Sequence, residues 1–359
     1  MTERWTPAAA HAWHAMQPWF VGCNFTPSTA VNQLEMWQAE SFNLAVMERE
    51  LALAASLGMN AARVYLHDLL WEQDAPGFLD RIDQFLSVAY RFNIRTMLVL
   101  FDSCWHPEPM LGPQPLPREG VHNSGWVQSP GMAVLRNPAE HPRLRAYVEG
   151  VVQRFADDDR VFCWDIWNEP DNGPEVASCD PVALAEKADL VVPLLVEAFA
   201  WARAQKPTQP LTSGIWLGDW SDLTQLSPIQ HAQTSNSDIV SFHNYGDAAD
   251  FEQRIKWLQE FSRPIICTEF MARPAGSTFQ DILPKAREQR VGAICWGMVR
   301  GKTQTHLPWD KWDGHLPHVP RDTWFHDVFD EMGAPHDPDE VDFLRLLTAI
   351  DDADRALAA

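Results

Sequence analysis

Basic charge is scarce in this chain. Its 359 residues carry 28 Lys and Arg against 49 Asp and Glu, for a formal net charge of −21. That sign argues against nucleic acid or an anionic membrane as a partner, since both would repel it. It suits a protein that acts on neutral molecules. Long apolar runs are missing too. No segment approaches the roughly 20 apolar residues of a membrane span. Met1 to Gln17 holds charged, Trp and His residues but no uninterrupted apolar stretch of signal-peptide length. The six cysteines (Cys23, Cys104, Cys163, Cys179, Cys267 and Cys295) form no CxxC pair and show no His/Cys zinc spacing. Cys163, Cys267 and Cys295 fall inside strand-like runs, where a thiol behaves as a small apolar side chain. A cytoplasmic protein with free thiols is the expectation. No GxGxxG or P-loop follows the first strand-like run, which weakens a nucleotide-binding reading.

What remains is the composition of a globular protein, 46% hydrophobic and without a low-complexity tract. The length lies within the range of one large α/β barrel. Tryptophan is abundant, with 17 residues. Its flat face stacks on the C–H faces of sugar rings, but it also fills cores. Only tryptophans at strand ends or in loops bear on function.

Apolar strand-like runs alternate with amphipathic helical runs eight times. The strands are expected at Trp19 to Phe25, Ala61 to His67, Arg95 to Phe101, Val161 to Trp167, Pro210 to Trp216, Asp238 to Tyr245, Pro264 to Phe270 and Ala293 to Val299. Most are continuously apolar, as parallel strands buried on both faces are. Between them, Leu44, Met47, Leu51, Ala54 and Leu57 repeat at helical spacing and stop at Gly58. Phe78 to Ala89 and Leu144 to Phe155 carry similar stripes, and further helices are expected at Pro181 to Gln205, Ala248 to Phe261 and Thr278 to Arg290. Asp337-Pro338 suits a helix start, with Asp as cap and Pro in the first turn, and predicts a last helix over about residues 337–357 on the barrel bottom or side. Eight β/α units favour closure into a barrel. The expected fold is therefore a (β/α)₈ TIM barrel, one catalytic domain over residues 1–359 with no internal repeat beyond the βα unit. Three segments break the rhythm: Thr26 to Ala39, Asp102 to Pro138 and Lys302 to Pro320. Each follows a strand C-terminus, on the face where barrel active sites are built.

Two short strings carry the chemistry. Trp167-Asn168-Glu169-Pro170 closes the fourth strand and Thr268-Glu269-Phe270 the seventh, with the two glutamates one hundred positions apart. Carboxylic acids facing each other across a barrel mouth can cleave a glycosidic bond. At a separation of about 5–5.5 Å one acts as nucleophile and the other as acid, and the anomeric configuration is retained. Ionised Glu269 disfavours ionisation of Glu169, which then keeps the proton it delivers.

With these strings in place, the chain resembles clan A glycoside hydrolases, most of all the cellulase family, glycoside hydrolase family 5, from about Trp19 to Phe329. The resemblance implies Glu169 as proton donor, Glu269 as nucleophile and Asn168 as partner of the sugar 2-hydroxyl. It also implies that Arg63 holds the nucleophile ionised, that His243 stands near the acid and Tyr245 near the nucleophile, and that Trp296 floors the sugar pocket. Many family members carry a His near the end of strand three. Here Phe101-Asp102-Ser103-Cys104-Trp105-His106 leaves Asp102 and His106 as alternatives. Trp37, Trp105 and Trp309 are candidate sugar-stacking residues, with loop packing as the alternative. His306, His315 and His318 share one loop, but their spacing matches no compact ligand motif and the mechanism needs no metal or other cofactor.

The expectation is a retaining β-glycosidase acting on short, soluble saccharides or glycosides, with the oligomeric state left open. An endo-acting glucanase, mannanase or xylanase and a non-catalytic carbohydrate-binding barrel are the alternatives. A metal-dependent barrel hydrolase would want His-x-His near strand one, which is absent.

Overall fold

A computed structural model describes residues 3–173, 181–309, 312, 314 and 316–358. In chain order the elements are α1 (Pro7–Ala15), β1 (Val21–Asn24), α2 (Gln33–Trp37), α3 (Leu44–Ser56), β2 (Ala61–Tyr65), α4 (Asp68–Arg91), β3 (Arg95–Asp102), α5 (Met132–Leu135), α6 (His141–Arg154) and β4 (Val161–Asn168). The second half adds α7 (Pro181–Ala204), β5 (Leu211–Thr212), α8 (Pro228–Asn236), β6 (Val240–His243), α9 (Ala248–Gln259), β7 (Ile265–Phe270), α10 (Phe279–Glu288), β8 (Gly292–Cys295) and α11 (Pro338–Ala358). The eight strands are parallel in the order β5-β4-β3-β2-β1-β8-β7-β6, a nearly closed (β/α)₈ barrel as the alternation predicted.

The last seam, between β5 and β6, closes differently from the others. Ile215 N–H donates to the Ser241 carbonyl at 3.1 Å and His243 N–H to the Ile215 carbonyl at 3.0 Å, but no continuous ladder forms. The run expected as a strand over Pro210 to Trp216 is cut to two residues. Polar side chains take over its backbone bonding. Ser213 Oγ donates to the Trp167 carbonyl at 2.8 Å, and Gln233 Nε2 donates to the Gly214 carbonyl at 2.5 Å.

The N-terminal mouth of the barrel is plugged. Ala10 of α1 and Phe20 pack on Ala61, Met97, Phe162, Ile266 and Ile294, residues near the starts of their strands, and Phe20 stacks on Phe162 at 4.2 Å. This layer closes the barrel interior at the N-terminal end of the strands. The outer helices pack on the strands through the stripes read from the sequence: Met47, Leu51 and Ala54 on α3, Phe78 to Ala89 on α4, and Leu144 to Val152 on α6 are buried. Helix α3 stops where Gly58 takes a φ of +74°, as its position predicted. Helix α8 was not foreseen, because Ile229-Gln230-His231-Ala232-Gln233 shows no apolar stripe. A reciprocal capping box of Ser227 and Gln230 starts it instead. Helix α11 begins as expected, with Asp337 Oδ1 accepting from the Asp339 N–H. It lies on the barrel side: Thr348 Oγ1 donates to the Leu57 carbonyl at 3.0 Å, and Glu340 pairs with Arg273 at 2.7 Å.

Trp37, a candidate for sugar stacking, is a core residue. It is 0% exposed, its Nε1 donates to the Tyr65 carbonyl at 2.8 Å, and Phe78 and Phe85 meet it edge-on. Its place on a short helix turns the ring inward, under the mouth. Trp37→Ala should therefore lower unfolding stability by about 3–5 kcal/mol, the usual cost of deleting a buried aromatic. Urea titration measures this. Affinity for sugar, measured under conditions where the variant stays folded, should move little.

Candidate active site

Glu169 and Glu269 meet at the open mouth. Glu169 follows the last residue of β4 with a left-handed φ of 42°, a conformation that costs a non-glycine residue about 1–3 kcal/mol and that clusters at functional sites. Glu269 lies within β7, and the ladders around it are irregular. The β6–β7 register shifts between Phe242 and His243 so that His243 pairs with Glu269, and the β7–β8 register shifts between Cys267 and Phe270. Such shifts re-aim side chains. Here they turn Glu269 and His243 to the same point. His243 Nδ1 lies 2.7 Å from Glu169 Oε1 and 3.4 Å from Glu269 Oε2. One oxygen from each carboxylate and this nitrogen fall within 4.8 Å of one another.

The surroundings of Glu269 favour its charged form. Burial alone would raise its carboxyl, but the charges of His243 and Arg63 and hydrogen bonds from Tyr245 and Tyr65 overcome that and hold it below the usual carboxylate range. Arg63 Nη1 and Tyr65 Oη each donate to Oε1 at 2.8 Å, and Tyr245 Oη donates to Oε2 at 2.7 Å. Arg63 is wholly buried and also binds Asp165 Oδ2, Asn168 Oδ1 and Asn24 Oδ1 at 2.7–3.0 Å. A divalent cation among Glu169, His243 and Glu269 would face this guanidinium at close range. Of the three loop histidines, His306 is half-buried beside Trp324, His318 is exposed, and His315 lies outside the described residues.

Glu169 has a different shell. Asn172 Nδ2 donates to its Oε2 at 2.5 Å, and Cys104 Sγ lies 3.2 Å from the same oxygen. Burial and the nearby Asp102 and Glu169 carboxylates push the Cys104 thiol well above its ordinary value, so it stays protonated and donates. Lys187, buried on α7, donates to the Asn172 and Ser103 carbonyls and so supports both loops that carry these groups. Burial pulls its ammonium down to about 8.

The strand-three alternatives resolve to neither Asp102 nor His106 at the pocket wall. His106 is exposed. Asp102 is buried one layer behind, accepting from Asn168 Nδ2 at 3.0 Å, Trp126 Nε1 at 2.6 Å and Gln33 Nε2 at 3.0 Å. It positions Asn168 and Trp126 rather than facing the cavity, and Cys104 takes the place beside Glu169. The cavity itself is about 160 Å³ and is lined mainly by aromatic residues and amides. Trp105, Trp296 and Trp309 line it as anticipated, with Asn168, Tyr245 and both glutamates. Trp126, Trp216, His122, Asn123, Asn172 and Cys104 line it without having been singled out from the sequence. Tyr65 had a readable signal, since two residues after Arg63 on one strand means the same face. The loop residues had none.

A parallel barrel with two buried carboxylates at its C-terminal mouth, ringed by tryptophans, has the architecture of a glycoside hydrolase. A sequence model of the cellulase family (glycosyl hydrolase family 5) matches residues 19–314, and the chain belongs to that family of O-glycosyl hydrolases. No curated protein sequence matches it. Among solved structures it is similar to the exo-β-1,4-mannosidase Op5Man5 from Opitutaceae bacterium strain TAV5, at 19% identity and a TM-score of 0.59. That match covers 92% of this chain and 60% of the mannosidase, so the chain spans less than two thirds of that protein. It is also similar to GH5_18 from Streptomyces cattleya, solved with Manβ1-4GlcNAc, at 13% identity and a TM-score of 0.60, covering 94% of this chain and 80% of that one. An endo-1,4-β-D-mannanase from Thermotoga petrophila RKU-1 matches at 13% identity and a TM-score of 0.53, with 92% of this chain and 99% of that chain covered. At these identities the likeness is one of fold.

Behind Trp296, Gly297 takes a φ of +77°, and a Cβ there would stand 2.3 Å from Asp327 Oδ1. Asp327 is fully buried, and Thr305 Oγ1 donates to it at 2.8 Å. Burial pushes its carboxyl from 3.8 up to about 7, against the Thr305 hydrogen bond and the Arg273 charge. The native state thus binds this proton more tightly than the unfolded chain. The resulting stability is complete below about pH 4 and is lost as pH rises through about 7. Asp327→Asn should lack this slope. Denaturation midpoints at pH 5 and pH 8.5 should show the variant gaining on the wild type by roughly 1–3 kcal/mol at the higher pH.

Proposed function

We propose that this family 5 hydrolase is a retaining β-glycosidase that removes one sugar at a time from the end of short, soluble saccharides or glycosides. The observation that carries the retaining step is that one oxygen of Glu169 and one of Glu269 lie within 4.8 Å of each other, both beside His243. That spacing suits direct attack, whereas an inverting pair stands about 6.5–9.5 Å apart to admit a water. In this reading Glu269, held ionised by Arg63 and two tyrosines, attacks the anomeric carbon and forms a glycosyl ester. Glu169 gives its proton to the departing oxygen, then accepts one from the water that hydrolyses the ester.

The support for end-on action is a wall of loops. Asn123 N–H donates to the Thr303 carbonyl at 2.7 Å, Gln304 Nε2 to the Arg118 carbonyl at 2.7 Å, and His122 Nδ1 lies 3.0 Å from the Leu307 carbonyl. Asn32 Nδ2 donates to the Gly125 carbonyl at 2.8 Å, and Lys302 pairs with Glu35 at 2.5 Å. The segments after β1, β3 and β8 are thereby tied to one another beside the cavity. A polymer threading the site would have to part them. β-Mannosides and β-glucosides are the first glycones to try, being the sugars named for structurally similar proteins.

The anomer formed first decides the mechanism. Proton NMR during turnover of an aryl β-glycoside should show the β-sugar first, and initial release of the α-anomer would exclude double displacement.

The two glutamates should fail differently. Glu269→Ala should lower kcat by about 10⁴-fold or more on every substrate. Glu169→Ala should lose about 10²–10⁴-fold on glycosides with poor leaving groups and far less on activated aryl glycosides, with azide restoring part of the loss. Equal losses on both leaving groups would reverse or void the assignment.

Viscometry on soluble β-mannan, β-glucan and xylan tests the wall. Slow loss of viscosity relative to reducing ends released is expected. A rapid fall with few new ends would mean internal cleavage.

A further inference from the structure

One polar side chain in the cavity has no part in the reaction and no hydrogen-bond partner among the described residues. Asn123 is 1% exposed and lines the same cavity as the two glutamates. Neither its Oδ1 nor its Nδ2 makes a hydrogen bond. Its backbone, by contrast, is firmly held: the N–H donates to the Thr303 carbonyl at 2.7 Å, and the carbonyl accepts from Trp126 N–H at 3.2 Å. The residue also has a left-handed φ of 49°. A buried amide with both ends unpaired is rare in a native fold and costs more than an ordinary hydrogen bond returns. The left-handed φ is one that asparagine adopts more readily than other non-glycine residues, and the two backbone bonds fix where the amide stands. Asn172, the other cavity amide with a free atom, already donates its Nδ2 to Glu169.

We propose that Asn123 is a specificity-determining residue that reads a vicinal diol of the glycone on the side away from the anomeric carbon, the 3- and 4-hydroxyls of a pyranoside. This rests on the glycosidase reading above. The anomeric carbon belongs between Glu169 and Glu269, on the β4 and β7 side, whereas Asn123 belongs to the wall between the β3 and β8 loops. Both walls border one cavity, so a sugar seated there meets the glutamates and Asn123 together. A carboxamide presents one acceptor and one donor side by side, and adjacent hydroxyls on a ring offer the complementary pair. An epimer at either carbon turns one hydroxyl away and leaves half of the buried amide unpaired, so the penalty for the wrong sugar exceeds the loss of one contact.

The experiment compares the wild type with Asn123→Gly and Asn123→Asp on a 4-nitrophenyl β-glycoside that the wild type cleaves and on its 3-deoxy and 4-deoxy analogues. Glycine accepts the left-handed φ without strain and removes the amide, while aspartate keeps the shape and the acceptor but loses the donor. Asn123→Gly should lower kcat/KM on the parent glycoside by roughly 10–100-fold, chiefly through KM, and by less than about threefold on at least one deoxy analogue. Asn123→Asp should fall between. The thermal midpoint of Asn123→Gly should match or exceed that of the wild type, because an unpaired buried amide has gone, whereas that of Asn123→Asp, which buries an unpaired carboxyl, should not exceed it. Equal losses on parent and both analogues, or no loss at all, would overturn the proposal while leaving the glycosidase reading intact. Should the wild type cleave no aryl glycoside, that reading falls separately. Calorimetry with D-mannose and D-glucose then decides: binding that Asn123→Gly abolishes supports the role of Asn123, and binding that it leaves unchanged, or no binding, overturns it.

Discussion

The guanidinium of Arg63 is the constraint from which the site is built. It is wholly buried at the centre of the barrel mouth, where an unpaired charge would not be tolerated. Its partners come from four other points on the barrel wall: Asn24 on β1, Asp165 and Asn168 on β4, and Glu269 on β7, joined by its own neighbour Tyr65 on β2. The β1–β2 register places Asn24 directly beside Arg63. Barrel closure is thus a condition for satisfying the charge, and the charge in turn defines where Glu269 stands. Breaking such a buried pair by removing one partner typically costs about 3–5 kcal/mol, because the other is left alone. Fold and site share one electrostatic knot.

That knot also separates the two carboxylates. Both are buried, and both reach His243. What differs is the rest of their company. Glu269 is met by a cation and two phenols, all donors aimed at a negative charge. Glu169 is met by an amide and a thiol, which offer hydrogen bonds but no positive charge. Two identical side chains in one cavity thus face different electrostatic demands, a precondition for one to attack and the other to carry a proton.

Much of this was legible in the sequence, for reasons that can be stated residue by residue. Continuous apolar runs ending in Asn-Glu or Thr-Glu located β4 and β7, because parallel strands must be apolar on both faces. Arg63 inside such a run demanded carboxylates before any were seen. Where polar side chains replaced the ladder, at Ser213 and Gly214, the expected strand shrank, since hydropathy does not say which group satisfies a backbone carbonyl. Trp37 read as a loop residue because a five-residue helix has too few positions to show a stripe. Cys104 stands in the string that ends strand three, but only Asp102 and His106 were weighed there. The proximity of Cys104 to Glu169 depends on a left-handed turn at Trp105 and on the loop behind it, neither of which leaves a periodic signal. Loop residues that meet only in space (His122, Trp126 and Trp216) carry no spacing to be read.

The chain's net charge of −21 leaves little trace in the cavity. Apart from the two glutamates, its lining is aromatic rings, amides and a protonated thiol. His122 is kept neutral there, burial pulling it down to about 4. The remaining acid lies outside the cavity, with Asp102, Asp165 and Asp327 buried behind its walls in hydrogen bonds and ion pairs. A neutral, hydroxyl-rich ligand is not attracted over distance by any of these charges, so affinity has to come from short-range contacts: ring faces for stacking and amides for hydroxyls. Such contacts act only within hydrogen-bonding or van der Waals distance, and they discriminate only if the walls do not yield. The ties among the segments after β1, β3 and β8 supply that rigidity. In a protein so acidic overall, selectivity for a carbohydrate without charge would therefore be a property of how firmly the loops are held, and the barrel beneath them supplies the fixed frame.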